Sequence, residues 1–214
     1  MGIVWYDHSK DTPAGAHALL SGSRYAWFNY DEEKLFNYVA ASYAATIGTV
    51  IHDVAARLIK HQIKVTKVSA RAVIMLELLE KKVPRTFIDI DRYIDNFVAY
   101  VNDAIGFGMR PEQVLKYSEN AFGTADAILF NDKKHFLRIH DYKSGVTQPC
   151  LRQLEIYAAF FCLEYHVQPK DISIELRIYW NNEIITGLPT AADIVPIMDR
   201  IVSFDNYIKN IKEG

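Results

Sequence analysis

Asp126, Asp141 and Lys143 are the residues best placed to do chemistry together. They lie in the runs Gly123-Thr124-Ala125-Asp126 and Asp141-Tyr142-Lys143-Ser144-Gly145. Around both runs the apolar residues recur with period two, the mark of strands with a covered face. The intervening Asn131-Asp132-Lys133-Lys134 reads as a four-residue hairpin loop. If Phe130 faces His135 across that loop, Asp126 faces Ile139 and has Asp141 as its diagonal neighbour on the same side. Lys143 points that way too. Two carboxylates and a lysine on one face suit a divalent cation that prefers hard oxygen ligands, Mg²⁺ or Mn²⁺. Held against a phosphodiester oxygen, such a cation is a Lewis acid and lowers the pKa of a bound water. The lysine orients the nucleophile or offsets charge building on phosphorus. The chemistry expected is metal-dependent phosphodiester hydrolysis with no covalent intermediate.

Asp/Glu-x-Lys alone carries little information. It recurs at Glu32-Glu33-Lys34, Glu80-Lys81-Lys82 and Asp132-Lys133-Lys134, on two helices and a turn, where it reads as solvated charge. The Asp141 case differs in closing an apolar strand and in having Asp126 upstream and in phase.

The elements that must position these groups fall into two halves. Residues 1–31 read as loop, with Asp11-Thr12-Pro13 and Ser21-Gly22-Ser23 as turn signals and a cluster of aromatics, Tyr25, Trp27, Phe28 and Tyr30. From Asp31, a plausible N-cap, Leu35, Val39, Tyr43, Ile47, Val54 and Leu58 form one helical stripe to about His61. Helices follow near 69–81 and 89–104, the latter with Gly106 as C-cap. Strands are expected near 114–119, 124–130, 135–143, 172–180 and 183–186, and helices near 153–165 and 191–211. Helices followed by a β-β-β-α-β run predict an α/β protein with a mixed central sheet flanked by helices. No linker or repeat divides the chain, so residues 1–214 are expected to be one domain, mainly helical over 1–112 and sheet core with a last helix over 113–214.

Composition narrows the functional classes. The 214 residues are 50% hydrophobic and 23% charged with a net charge of −2, which excludes a disordered or tail-driven polycation binder but leaves room for a local basic groove. Eight Lys/Arg between Arg57 and Arg85 face only Glu77 and Glu80, and either track a phosphate backbone or form a solvated face. Two cysteines, Cys150 and Cys162, cannot build a four-thiolate cluster. No basic n-region with an apolar run opens the chain and no apolar stretch reaches a membrane span, so a cytoplasmic setting is expected. P-loop, HExxH and GxSxG signatures are absent.

Taken with Gln153-Leu154-Glu155-Ile156-Tyr157-Ala158 and Gly48-Thr49-Val50-Ile51-His52, the two strand runs resemble the PD-(D/E)XK nucleases. They are most similar to the RecB-like branch, which includes phage exonucleases and the CRISPR-associated nucleases that carry an iron–sulphur cluster. The resemblance covers roughly residues 20–60 and 114–180. It implies a restriction-endonuclease-like core and a metal-dependent deoxyribonuclease. Exonuclease action at DNA ends, in phage-type recombination, repair or replication in a bacterial cytoplasm, is the first expectation. A structure-selective endonuclease and a non-catalytic DNA-end or protein-binding module are the alternatives.

Carried onto this chain, the resemblance makes His52, Asp126, Asp141 and the Tyr142 carbonyl ligands of one or two Mg²⁺ or Mn²⁺ ions, and Lys143 the catalytic lysine. Gln153 and Tyr157 would line the site near the scissile phosphate. Arg24, in Ser21-Gly22-Ser23-Arg24, resembles an arginine that meets DNA phosphate in a phage exonuclease. No iron–sulphur cluster is expected, since its cysteines are missing. DNA is the expected partner, with a homo-oligomer or a recombination or replication protein as further ones and no membrane. Glu119 is either a helper of a second metal or a surface carboxylate. His135 and His140 read as exposed strand residues, and Trp5, Trp27 and the early tyrosines as core.

Overall fold

In the computed structural model, residues 4–8, 10 and 18–213 are described; the Asp11-Thr12-Pro13 turn signal lies outside them. The chain forms two compact units, residues 1–45 and 46–214, with the boundary inside the first long helix.

In the N-terminal unit, a 3-10 segment over Gly22–Asn29 is pinned by the Trp27 indole, which donates to the Ser21 carbonyl at 2.9 Å. Arg24 departs from helical geometry there and is exposed. Trp5, Tyr6, Tyr25 and Phe28 are exposed as well, against the expectation that the early aromatics are core. Among the described residues of this unit, a short 3-10 segment and half a helix give these rings no second layer to bury against.

The first helix, α1, is Glu32–Lys60. Asp31 caps it as expected, its Oδ1 accepting from the Lys34 N–H at 2.7 Å. By length and composition α1 is apolar enough to cross a membrane, a test that the core helix of a soluble protein also passes. Its buried residues, Ile47, Val50, Ile51, Val54, Ala55, Leu58 and Ile59, all lie in the second unit. Helix α2, Lys67–Glu80, opens on a capping box between Thr66 and Ser69. Helix α3, Ile94–Phe107, starts later and runs further than its periodicity suggested. It stops at Gly108 rather than Gly106, because Gly108 is the residue that takes the left-handed conformation, φ 70°.

The sheet has five strands in the order β1 (Arg110–Lys116), β2 (Phe122–Asn131), β3 (Phe136–Lys143), β4 (Ser173–Trp180) and β5 (Glu183–Gly187). All neighbours are antiparallel except β3 and β4, which are parallel and joined through helix α4, Arg152–Glu164. The last helix, α5, is Ala191–Glu213 and packs on α4. Pro111 is tolerated because β1 is an edge strand. The fold is α/β, with a mixed sheet, flanking helices and a helical N-terminal half.

Both faces of the sheet are covered. Leu137 and Ile139 of β3 join Leu154, Ala158 and Phe161 of α4 in one core. The alternate residues His140 and Tyr142 face α3, where Tyr142 packs edge-on to Phe97 and its hydroxyl donates to the Tyr93 carbonyl at 3.2 Å. His140 is therefore fully buried rather than exposed, with Nδ1 3.3 Å from the Tyr179 hydroxyl. Burial, then the charges of Arg177 and Arg138, push its pKa down to about 3, so the ring is neutral.

Candidate functional site

The hairpin that carries the two aspartates pairs differently from the simplest loop geometry. Asn131, not Phe130, is the last residue of its strand, and it faces Phe136. Asn131 Oδ1 caps a 3-10 turn at the Lys134 N–H, and His135 takes a left-handed conformation, φ 48°, as part of the turn. Ile128, not Asp126, therefore lies opposite Ile139, and Ala127 opposite His140. One further step of the same register puts Asp126 level with Asp141 itself. The slip is by two residues, so the side-chain alternation survives.

The β1–β2 ladder adds a third carboxylate. Pro111 pairs with Ala127 and Gln113 with Ala125, so Glu112 lies level with Asp126. Glu112, Asp126 and Asp141 thus form a rank across three adjacent strands. Glu112 is in the left-handed region, φ 49°, a strained conformation for a residue with a Cβ. His52 on α1 completes the group. His52, Glu112 and Asp126 each offer a ligand atom within 4.8 Å of the other two.

The contacts within the cluster are specific. His52 Nδ1 is 3.2 Å from Asp126 Oδ2, and the same oxygen accepts the Tyr142 N–H at 3.1 Å. The Tyr142 ring packs edge-on to the His52 ring. Asp141 is 1% exposed; its Oδ1 is 3.0 Å from Lys143 Nζ, yet neither carboxylate oxygen has a hydrogen bond of good geometry. Lys143 Nζ donates to Gln153 Oε1 at 3.0 Å, and Gln153 Nε2 donates to the Tyr157 hydroxyl at 2.8 Å. Tyr157 lies against β2 because residue 123 is glycine: a Cβ there would stand 2.8 Å from Tyr157 Cε1.

The electrostatics follow from crowding three acids together, with Asp141 buried and Glu112 exposed. Burial, then the neighbouring Asp126 charge, raise Asp141 to about 7, opposed by Lys143 and His52. Burial disfavours protonated His52, but the Asp126 hydrogen bond and the charges of Asp126, Asp141 and Glu112 outweigh it and raise its pKa. Glu112 is raised by partial burial and by Asp126. A divalent cation relieves all three shifts at once, and Asp141 Oδ2, without a partner among the described residues, is a group that a hard cation takes. The residues present therefore fit Mg²⁺ or Mn²⁺.

The structure thus brings together His52, Asp126, Asp141, Lys143, Gln153 and Tyr157, with the Tyr142 backbone beside them. Arg24 lies in the N-terminal unit, in the 3-10 segment Gly22–Asn29. Glu119 is exposed in the β1–β2 turn beside Lys209 and Lys212, and Glu112 has the place envisaged for it. The basic run is partly neutralised, since Arg57 pairs with Glu77, Lys67 with Asp95 and Arg71 with Asp91.

Fold and site define an α/β protein with a His-carboxylate-lysine cluster where three strands of a mixed sheet meet α1 and α4. The chain belongs to the family described as "Protein of unknown function (DUF2800)", whose match spans residues 17–160 and takes in every residue of that cluster. No curated protein and no solved structure matches it.

Proposed function

We propose that the protein is a Mg²⁺- or Mn²⁺-dependent deoxyribonuclease of the RecB-like PD-(D/E)XK kind, acting at DNA ends as an exonuclease. The observation that carries this reading is the Asp141–Lys143 pair: a buried carboxylate whose Oδ1 is ion-paired to the Lys143 amine and whose Oδ2 has no partner among the described residues, with that amine also held by Gln153. Burying an acid with one oxygen unpartnered beside two other acids is costly, and a cation offsets that cost.

In this reading His52, Glu112, Asp126, Asp141 and the Tyr142 carbonyl hold the cation. When bound, the cation supplies Lewis acidity toward a phosphate oxygen and an acidified water. Lys143 Nζ, fixed between Asp141 and Gln153, places a positive charge where the attacking oxygen and the phosphorus meet. Gln153 and Tyr157 form a short relay that keeps the amine from folding back into solvent. Asp126, tied to His52 and to the Tyr142 N–H, cannot swing away and so sets the geometry for its neighbours. The setting that goes with this reading is a bacterial cytoplasm and DNA recombination, repair or replication.

The experiment is cleavage of end-labelled linear and closed circular DNA, single- and double-stranded, with Mn²⁺ or EDTA, beside the Asp141→Ala protein. Metal-dependent loss of linear DNA only, abolished in the variant, is the expected result. Cleavage of circles changes the reading to endonuclease. No cleavage of any substrate moves it to a non-catalytic DNA-end module.

A further inference from the structure

Lys143 also lines a second space. A cavity of about 260 Å³ beyond the end of β3 is walled by Arg92, Tyr93, Lys143, the Ser144–Val146 loop, Trp180 and Asn181. Its frame is tied down at three points. Arg92 Nη2 donates to the Ser144 carbonyl at 2.8 Å, the Trp180 indole donates to the Gly145 carbonyl at 2.8 Å, and Trp180 is level with Lys143 in the parallel β3–β4 register. Tyr93 is 7% exposed, and among the described residues its buried hydroxyl has no hydrogen-bond partner.

We infer that this cavity is a subsite for one unpaired deoxynucleotide at the end of the cleaved strand, adjoining the phosphate that Lys143 meets. The inference rests on the nuclease reading for the phosphate's position, and on the cavity itself for the nucleotide. Two cations suit a phosphate, and an indole suits the face of any base. The volume is on the scale of one nucleotide rather than a stacked pair, which fits a strand end whose last residue is unpaired. Preference for single-stranded or frayed ends follows.

Two measurements test this. The first is calorimetric binding of deoxynucleoside 5′-monophosphates to the whole metal-free chain and to Arg92→Ala, Trp180→Ala and Trp180→Phe. The second is KM and kcat on single-stranded oligonucleotides in Mn²⁺. Thermal melting checks each variant for folding, and Trp180→Phe keeps an aromatic wall should Trp180→Ala fail to fold. Expected are nucleotide binding that weakens roughly ten-fold in Arg92→Ala and Trp180→Ala, rescue in Trp180→Phe, and a raised KM with little change in kcat. DNA cleavage with no mononucleotide binding, or binding indifferent to both alanine variants, overturns the subsite and leaves the nuclease intact. Mononucleotide binding lost in those variants, with no DNA cleaved in Mn²⁺, does the reverse. Matching losses in mononucleotide affinity and in oligonucleotide KM support the subsite; an effect on cleavage at internal positions only overturns the assignment to a strand end.

Discussion

One oxygen of Asp126, Oδ2, holds both the His52 ring, at 3.2 Å from Nδ1, and the Tyr142 N–H, at 3.1 Å. Helix α1 and strand β3 are thereby pinned to the same atom of β2. A cation that takes His52 through Nδ1 has to replace this contact and the proton in it. His52 binds that proton more firmly than a free imidazole because three carboxylates surround it. Asp141, raised to about 7, holds another. Metal binding near neutral pH should therefore release protons and tighten as pH rises. Calorimetry of Mn²⁺ binding in buffers of different ionisation enthalpy reads the number released, and a proton-neutral reaction at pH 6.5 would contradict the assignment of both groups.

The same two groups make the metal-free protein sensitive to alkali. Each has a folded pKa above its unfolded value, so the folded state binds more protons and gains from low pH. For Asp141 the gain is complete below the ordinary value of 3.8 and is lost as pH rises through about 7. For His52 it is lost as pH rises above 6.5. Melting in EDTA from pH 4.5 to 8 should show a decline on the order of a few kcal/mol. Mn²⁺ should abolish it, and Asp141→Asn should flatten its lower part.

Much of this site is legible in the sequence because its parts are local. Asp141 and Lys143 share a strand face by alternation, and Gln153 and Tyr157 share a helix face by an i, i+4 spacing. Asp31 announces α1 by capping chemistry alone. What escapes is set by single residues in unusual conformations or by cover from distant elements. His135 enters the hairpin turn through a left-handed conformation that Asn and Gly favour more strongly, which moves the register by two. Glu112 carries no motif; only antiparallel pairing across the Ser118–Ala121 turn brings it level with Asp126. His140 alternates like a surface residue, but α3 covers its face.

Lys143→Ala should leave the fold intact and, at saturating Mn²⁺, lower cleavage roughly 100-fold or more, since it removes charge that acts on the transition state. Gln153→Ala should do less, because the Asp141 ion pair still holds the amine. Single-turnover rates at saturating Mn²⁺ separate the two. Full activity in Lys143→Ala would remove the lysine from the chemistry.

Gly123→Ala is expected to disturb the site from a distance. The added Cβ would meet Tyr157 Cε1 at 2.8 Å and Phe160 Cε2 at 3.7 Å, so the Tyr157 ring must move and its bond to Gln153 must lengthen or break. Overpacking of this kind costs about 1–3 kcal/mol. Combining it with Tyr157→Leu should restore stability but not activity. A double-mutant cycle by melting and by cleavage rate reads both, and simple additivity in stability would place the clash elsewhere.

Asp205 provides a test that leaves the site alone. Its Oδ1 accepts from Ser118 Oγ at 2.6 Å and Asn120 Nδ2 at 3.0 Å, and its Oδ2 pairs with Lys209 at 2.7 Å, which ties α5 to the β1–β2 turn. The Lys209 contact first, then those two donors, hold its carboxyl down at about 2. A depressed acid stabilises the fold above its unfolded pKa and loses that contribution as pH falls through the folded one. Asp205→Ala should thus melt earlier than the parent at pH 7, with the gap closing as pH falls from about 4 toward 2. A gap independent of pH would assign the loss to packing.

Glu112 separates strain from function most cleanly. A residue with a Cβ held at φ 49° costs of order 1 kcal/mol or more, which glycine does not incur. Its pKa is raised by partial burial and then by the Asp126 charge, which its carboxylate repels in the absence of a cation. Glu112→Gly should therefore raise the melting temperature of the metal-free protein while weakening Mn²⁺ binding and slowing cleavage. Glu112→Gln keeps the backbone strain but removes the charge, so it should lose affinity with a smaller gain in stability. Comparing the two by melting in EDTA and by Mn²⁺ titration distinguishes a strained ligand from a strained turn. If Glu112→Gly gains stability with Mn²⁺ affinity unchanged, the strain belongs to the edge strand alone and the cation is held by His52, Asp126 and Asp141.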